Sequence, residues 1–478
     1  MHSVFSKSRS LTGLTVLASS LLSVGASAAP NDPATLTQIR DSAMQSDWAY
    51  ERLSDLTDLV GPRLSGSAGA AAAVEQVAEA MRKLGAKVTL QPVKVPHWVR
   101  GAETAELVDY TGRPNGVTQK VVLTALGGSG ATPAAGLTAP VLVVRSVDEL
   151  KTKAAQAKGA IVLFDVAFDQ EMADRGQAGP AYGQGSRVRT LGPRAAAELG
   201  AVAALVRSVG GANYRIAHTG ATLLADGARI PAAAVTAEDA MLMSRLSARG
   251  PLKMHLTLTP QTLPDADSYN VIADWPGSDK ADEVVIVSGH LDSWDLATGA
   301  HDDGTGVAGA MGVIQTLKQL NLKPRRTIRV IAWMNEENGT RGGRAYFDVN
   351  KDKVEKHYAA IESDEGGGRP FGFIGSVPQP VVKYFAPLKS ALEPIGAGVF
   401  ERHDMAGGAD IGPLERAGVP SFQPLVDSSF YFSYHHTPAD TLDKVNPYEL
   451  KRHVAVLTSL SWFLANMEEN IGRVPKQE

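Results

Sequence analysis

The stretch at residues 284–346 reads VVIVSGHLDSWDLATGAHDDGTGVAGAMGVIQTLKQLNLKPRRTIRVIAWMNEENGTRGGRAY, and the rest of the chain can be read outward from it. An apolar run ends in His290, a glycine-flanked Asp302-Asp303 pair opens an apolar helical stretch, and a second apolar run ends in Glu336-Glu337. The runs at 283–288 and 327–333 are short and rich in β-branched residues, as buried parallel strands are. Between them, 304–320 has helical length and ends near Pro324. Strand, helix, strand in succession is a βαβ crossover joining parallel strands of one sheet. In open α/β sheets the ligand crevice lies beyond the carboxyl ends of the strands. Imidazole and carboxylates at those ends are the composition of a metal-centred hydrolytic site.

Downstream, a third run at 358–361 leads into Glu362-Ser363-Asp364, and 419–425 reads as another strand. Gly407-Gly408-Ala409-Asp410 and the segment 434–441 are loops, and 447–470 is a long amphipathic helix with Leu457, Leu460 and Phe463 facing inward. Upstream, 35–59 reads as a helix, and 70–84 as an amphipathic one closed by Gly85 in the usual left-handed cap position. Residues 87–95 alternate as a strand. The texture changes over 118–258. There, short β-like runs at 120–126, 139–144, 160–164 and 202–207 are separated by Gly/Ala/Pro-rich turns, with 179–185 and 210–212 as loops. This segment reads as a compact α/β insert with little chemistry, and its His218 as an ordinary loop residue. The expected fold is α/β, a mostly parallel mixed sheet flanked by helices, built from 29–117 and 259–478 around the insert.

The first residues read as an address. Lys7 and Arg9 precede an apolar run at 11–24 and a small-residue site at Ala26-Ser27-Ala28. The run is shorter than the ~18–20 residues of a membrane span, so 1–28 is expected to be a cleaved secretory signal and the mature chain secreted or periplasmic. The net charge is −4 and becomes −6 once Lys7 and Arg9 are removed by subtraction. A mildly acidic chain without a basic run argues against nucleic acid or an anionic membrane as main partner. Cysteine is absent, so any zinc must be held by His and carboxylates, the ligand types typical of catalytic sites.

Taken singly, each candidate has a plain structural reading. A Glu-Glu pair is usually a solvated helix face, a strand-end histidine a hydrogen-bonding one, and Asp302-Asp303 before Gly304 a helix cap. Together and in this order they read as a site. GHLDSW, GAHDDGTG, NEENGTRGG, ESDEGG and YHHTPADT resemble the five zinc-site motifs of the di-zinc exopeptidase family, to which bacterial leucyl aminopeptidases and glutamate carboxypeptidases belong. The loop GGADIGPLERAGVP and the paired histidines before Thr437 bring the glutamate carboxypeptidases nearest.

The resemblance implies two zinc ions per chain, a protease-associated domain as the insert, and a homodimer. It makes Asp302 the bridging carboxylate, with Glu337 and His436 completing one metal's ligands, His290 and Asp364 the other's, and Glu336 the general base. It further implies hydrolysis of dipeptides or short peptides with free N-termini, of carboxypeptidase or dipeptidase type, with aminopeptidase action as the alternative. In several relatives a Tyr that helps hold the oxyanion precedes the last zinc-binding His. Here His435 stands there and Tyr434 one residue earlier, so His435 is expected to donate the hydrogen bond and His436 to bind metal. Asp292 is expected to orient the His290 imidazole. For His301, His403 and Asp295, loop and specificity roles stay equally open. A non-catalytic binding module of this fold would show eroded ligands, and a one-zinc cyclase relative would be fully active with a single metal.

Overall fold

The computed structural model describes residues 31–224 and 229–477; the expected signal at 1–28 lies outside them. Its first sheet is formed by β1 (Lys87–Val99), β2 (Gln261–Trp275), β3 (Lys280–His290), β4 (Arg326–Trp333), β5 (His357–Glu362), β6 (Pro370–Ser376), β7 (Val399–Arg402) and β8 (Ser421–Val426). They lie in the order β1-β2-β4-β3-β5-β8-β6-β7. The four central strands β4, β3, β5 and β8 are mutually parallel, and β1 and β2 add an antiparallel edge. Burial explains the uninterrupted apolar sequences: Val285, Ile286 and Val287 are all fully buried, which requires cover on both faces of the sheet. Helices α1 (Pro33–Gln45), α2 (Trp48–Ser54), α3 (Ala68–Leu84), α5 (Thr305–Gln319) and α6 (Pro447–Asn466) supply much of that cover. Gly312 lets α5 approach α6 closely, because a Cβ there would stand 2.9 Å from Val454 Cγ1.

Register positions the site. His290 pairs with Trp333 across β3 and β4, and Ser288 with Glu362 across β3 and β5. The chain therefore leaves three neighbouring strands along one rim, and His290, Glu336-Glu337 and Asp364 emerge side by side.

A second eight-stranded sheet is drawn from Glu103–Tyr110 through Leu252–Leu258. It has its own apolar clusters, centred on residues such as Leu163, Leu205 and Leu256. Its first strand begins ahead of residue 118, because 103–110 alternates buried and exposed positions and pairs antiparallel with 252–258.

Three local expectations differ from the structure. The helix expected at 35–59 is interrupted at Ser46, whose extended backbone ends α1, and it finishes as a π-helical turn over Asp55–Val60. The run at 120–126 divides into Gln119–Val121 and Leu123–Ala125, at opposite edges of the second sheet. Residues 179–185, expected as a loop, lie within helix α4 (Ala178–Glu198). Pro180 sits in its first turn, where no intrahelical N–H is needed, and Ala178, Ala181, Gly185, Arg189, Gly192 and Ala196 form a buried stripe at helical spacing. No helix among the described residues is long and apolar enough to cross a membrane.

Candidate metal centre

His290 is the last residue of β3, and two backbone contacts fix its ring. Its N–H donates to Asp303 Oδ2 at 3.0 Å, and its Nδ1 lies 2.9 Å from the Asp292 carbonyl oxygen. A carbonyl can only accept, so Nδ1 carries the proton and the Nε2 lone pair faces Asp302 Oδ1 at 3.0 Å and Asp364 Oδ1 at 3.2 Å. His436 repeats the pattern. Its Nδ1 lies 3.4 Å from the Thr219 carbonyl, and its Nε2 is 2.9 Å from Glu337 Oε2 and 3.2 Å from Asp302 Oδ2. Besides an all-imidazole group of His218, His435 and His436, two mixed donor groups result, His290–Asp302–Asp364 and Asp302–Glu337–His436, each with its ligating atoms within 4.8 Å of one another. Asp302 belongs to both.

The local backbone serves these side chains. Asp302 lies in the turn before α5, where the Asp302–Asp303 peptide is cis. Asp440 accepts from the backbone N–H groups of His301 at 2.7 Å and Asp302 at 3.1 Å. Asp303 Oδ1 accepts from Gly306 N–H at 2.9 Å, so this residue caps the helix while its neighbour joins the cluster. Glu336 follows Asn335, which has φ 75° in the left-handed region that Asn tolerates. Asp292 Oδ1 receives the N–H groups of Asn335 at 2.7 Å and Glu336 at 3.0 Å. Asp292 thus meets the His290 imidazole through its carbonyl, while its carboxylate, 3.9 Å from Nδ1, is engaged in shaping the Glu336 turn.

Electrostatically the cluster is strained. Burial pushes the Glu337 carboxyl up to about 7, with Asp302 adding to the effect. Burial likewise drives Glu336 well above the usual carboxylate range, aided by Asp364 and Glu337 and opposed by His290. It raises Asp364 as well. Burial also disfavours the Asp302 carboxylate, but His435, His290 and His436 around it hold its pKa well below the ordinary value. Among the described residues no lysine or arginine forms an ion pair with these four carboxylates; histidines pair with Asp302, Asp364 and Glu337.

His435 is placed differently from its neighbour. The two rings stack with centroids 3.6 Å apart, and His435 Nε2 lies 3.4 Å from Asp302 Oδ2. Its Nδ1, however, is 3.1 Å from Nε2 of His218 rather than on a backbone carbonyl. His218 is fully buried, so its reading as an ordinary loop residue is corrected. No sequence signal marks it, because its partner lies 217 positions away. Of the residues left open, His301 accepts from Gly367 N–H at 3.1 Å and stacks on Tyr434. Asp295 forms a two-pronged ion pair with Arg100 at 2.7 and 2.8 Å. His403 is exposed, with its nearest charged partner Glu401 at 3.3 Å, and lies outside the cluster.

A model of peptidase family M28 matches residues 270–461. Carboxypeptidase Q of Homo sapiens is 36% identical over 89% of this chain and 87% of its own length. A crystal structure of a peptidase M28 precursor from Shewanella amazonensis SB2B, 37% identical, covers 93% of this chain and 99% of that one with a TM-score of 0.87. A zinc aminopeptidase from Bacillus subtilis, 21% identical, shares the fold over 89% of this chain and 98% of its own, with a TM-score of 0.61.

Proposed function

From the premise that this chain belongs to peptidase family M28, we propose that it is a two-zinc exopeptidase of carboxypeptidase or dipeptidase type, acting on dipeptides and short peptides with free N-termini. The observation that carries the choice is the identity with carboxypeptidase Q over most of both chains. The donor set fits zinc. Asp302 Oδ2 and Glu337 Oε1 are buried without a hydrogen-bond partner, and the ligating atoms are imidazole nitrogen and carboxylate oxygen throughout. His290 and Asp364 would hold one ion, Glu337 and His436 the other, and Asp302 both. What zinc supplies in such a site is Lewis acidity, easing ionisation of a water and polarising a peptide carbonyl.

The chain's own residues do the rest. The Glu336 carboxylate accepts the proton of the attacking water and returns it to the leaving amine. Asp292 holds the turn that aims it. The Nε2–H of His435 donates to the substrate carbonyl oxygen as that oxygen gains charge. Export through the segment at 1–28 and a homodimer belong to the same reading; N-terminal sequencing of the exported protein and sedimentation analysis test them.

The deciding experiment is a dipeptide panel with and without chelator, on the parent and Glu336→Gln. Glu336→Gln is expected to lower kcat by about 10²–10⁴ while keeping bound zinc. Undiminished turnover would overturn the mechanism. Cleavage of a terminally amidated dipeptide but not of an N-blocked one would instead indicate an aminopeptidase.

A further inference from the structure

Among the described residues, the stretch 208–219 that follows Ala203–Arg207 of the second sheet reaches into the centre. Its Thr219 N–H donates to the His436 carbonyl at 2.9 Å, supporting the left-handed backbone of His436 at φ 58°. Its Gly211 N–H donates to the Phe432 carbonyl at 2.9 Å. His218 itself is anchored by its N–H on Ser208 Oγ at 3.0 Å, and its ring meets those of His435 and His436 edge-on. From α4, Tyr182 stacks on Phe432 and meets the His435 ring edge-on, so the histidine pair is enclosed from this side.

We infer that His218 is a positioning residue, whose Nε2–H donates to His435 Nδ1 and so holds His435 as the tautomer with its proton on Nε2, facing the metal centre. The inference rests on the proposed hydrolytic reading of that centre and adds a contribution from the second sheet to it.

Hydrogen-bond capacity sets the tautomers of this pair. The 3.1 Å contact between two ring nitrogens needs one donor and one acceptor. The other nitrogen of His218, Nδ1, is buried without a partner. A buried N–H with no acceptor is rarer and more costly than a buried acceptor left unfilled, so the proton of His218 resides on Nε2. A doubly protonated ring would add an unpaired buried charge to that orphan donor. His435 Nδ1 must then accept, which leaves its own proton on Nε2, on the side of Asp302 Oδ2. His290 and His436 have the opposite tautomer, since each directs Nδ1–H to a backbone carbonyl. The same rule therefore separates the two adjacent histidines: His436 offers a lone pair and His435 a donor. His218 is the group that enforces the difference.

The test compares His218→Leu, His218→Gln, His435→Ala and the double variant His218→Leu/His435→Ala. The readouts are kcat, KM, zinc per chain and ring-nitrogen NMR of histidine-labelled, zinc-free protein. His218→Leu is expected to lower kcat about tenfold to a hundredfold with KM and zinc content little changed. His218→Gln, which keeps an amide donor, should recover most of the loss. The double variant should be no slower than His435→Ala alone, because His218 acts through His435. In the parent, the His435 signals should be those of an Nε2–H ring. Additive losses, zinc loss in His218→Leu, or an Nδ1–H signature for His435 would overturn the inference. Loss of zinc or unimpaired turnover in His435→Ala would instead overturn the reading of the centre. If His218→Leu does not fold, the tautomer signature of the parent decides.

Discussion

Arg63 shows what a single residue contributes outside the chemistry. It is fully buried, and its guanidinium donates to the carbonyls of Leu291 at 2.8 Å, Gly299 at 2.9 Å and Gly61 at 3.2 Å, with Thr298 as a further acceptor. Burial lowers its pKa to about 10 even though Asp440 and Asp292 favour its charge. The carbonyls of Leu291, Thr298 and Gly299 belong to the segment between His290 and Asp302, so Arg63 sets the path that lets these two meet. Replacing Arg63 with Met leaves those carbonyls unpaired in the interior. We expect a loss of about 3 kcal/mol or more in urea unfolding, together with weaker zinc retention. Arg63→Lys should restore only part of this, because an ammonium cannot match the planar fork. A stability equal to the parent's would contradict this account. In the sequence Arg63 is one arginine in a turn, and nothing nearby announces its acceptors.

Helix α3 was legible because its stop and its stripe are local. Ser67 caps it by accepting from Ala70 N–H at 3.1 Å, and Gly85 ends it at φ 91° with no atom within 4 Å of where a Cβ would stand. Gly85→Ala should therefore cost about 1 kcal/mol through backbone conformation alone, read as a lower urea midpoint with unchanged activity. A neutral result would mean that the turn relaxes. Helix α4 was not legible in the same way. Its buried stripe is mostly Ala and Gly, residues that also compose loops, with Arg189 and Pro193 among them, and only contact with neighbours such as Val209 and Phe164 reveals the stripe as an interior face. The strands β3 and β4 were legible because double-sided burial writes itself as short apolar, β-branched runs, unbroken in β3 over 284–287 and interrupted in β4 by Arg329, which pairs with Asp274.

At the scale of the molecule, acid sensitivity combines opposing groups. Burial lowers the pKa values of His357 and His453 to about 4, so between pH 6.5 and 4 the unfolded chain binds protons that the folded one refuses, and stability falls with pH. Glu362 and Asp440, raised by burial to about 7, act in the other direction, since the folded state holds their protons and loses stability as pH rises through 7. His357 begins β5, at the end away from Asp364, and accepts from Tyr346 O–H at 2.9 Å. Its share can be isolated with His357→Gln, whose stability relative to the parent should rise by about 2 kcal/mol between pH 7.5 and pH 5. A pH-independent difference would show that His357 is not the group responsible. By itself, the sequence determined the α/β class, the strand ends that carry His290, Glu336-Glu337 and Asp364, and the ordered motifs from which the ligand set was expected, because short-range pattern and spacing encode these. Only the tertiary structure decided what Arg63 and Asp292 do, and that His218 lies against His435. Those properties depend on contacts between segments remote in the chain, and a donor's direction exists only once its acceptor is in place.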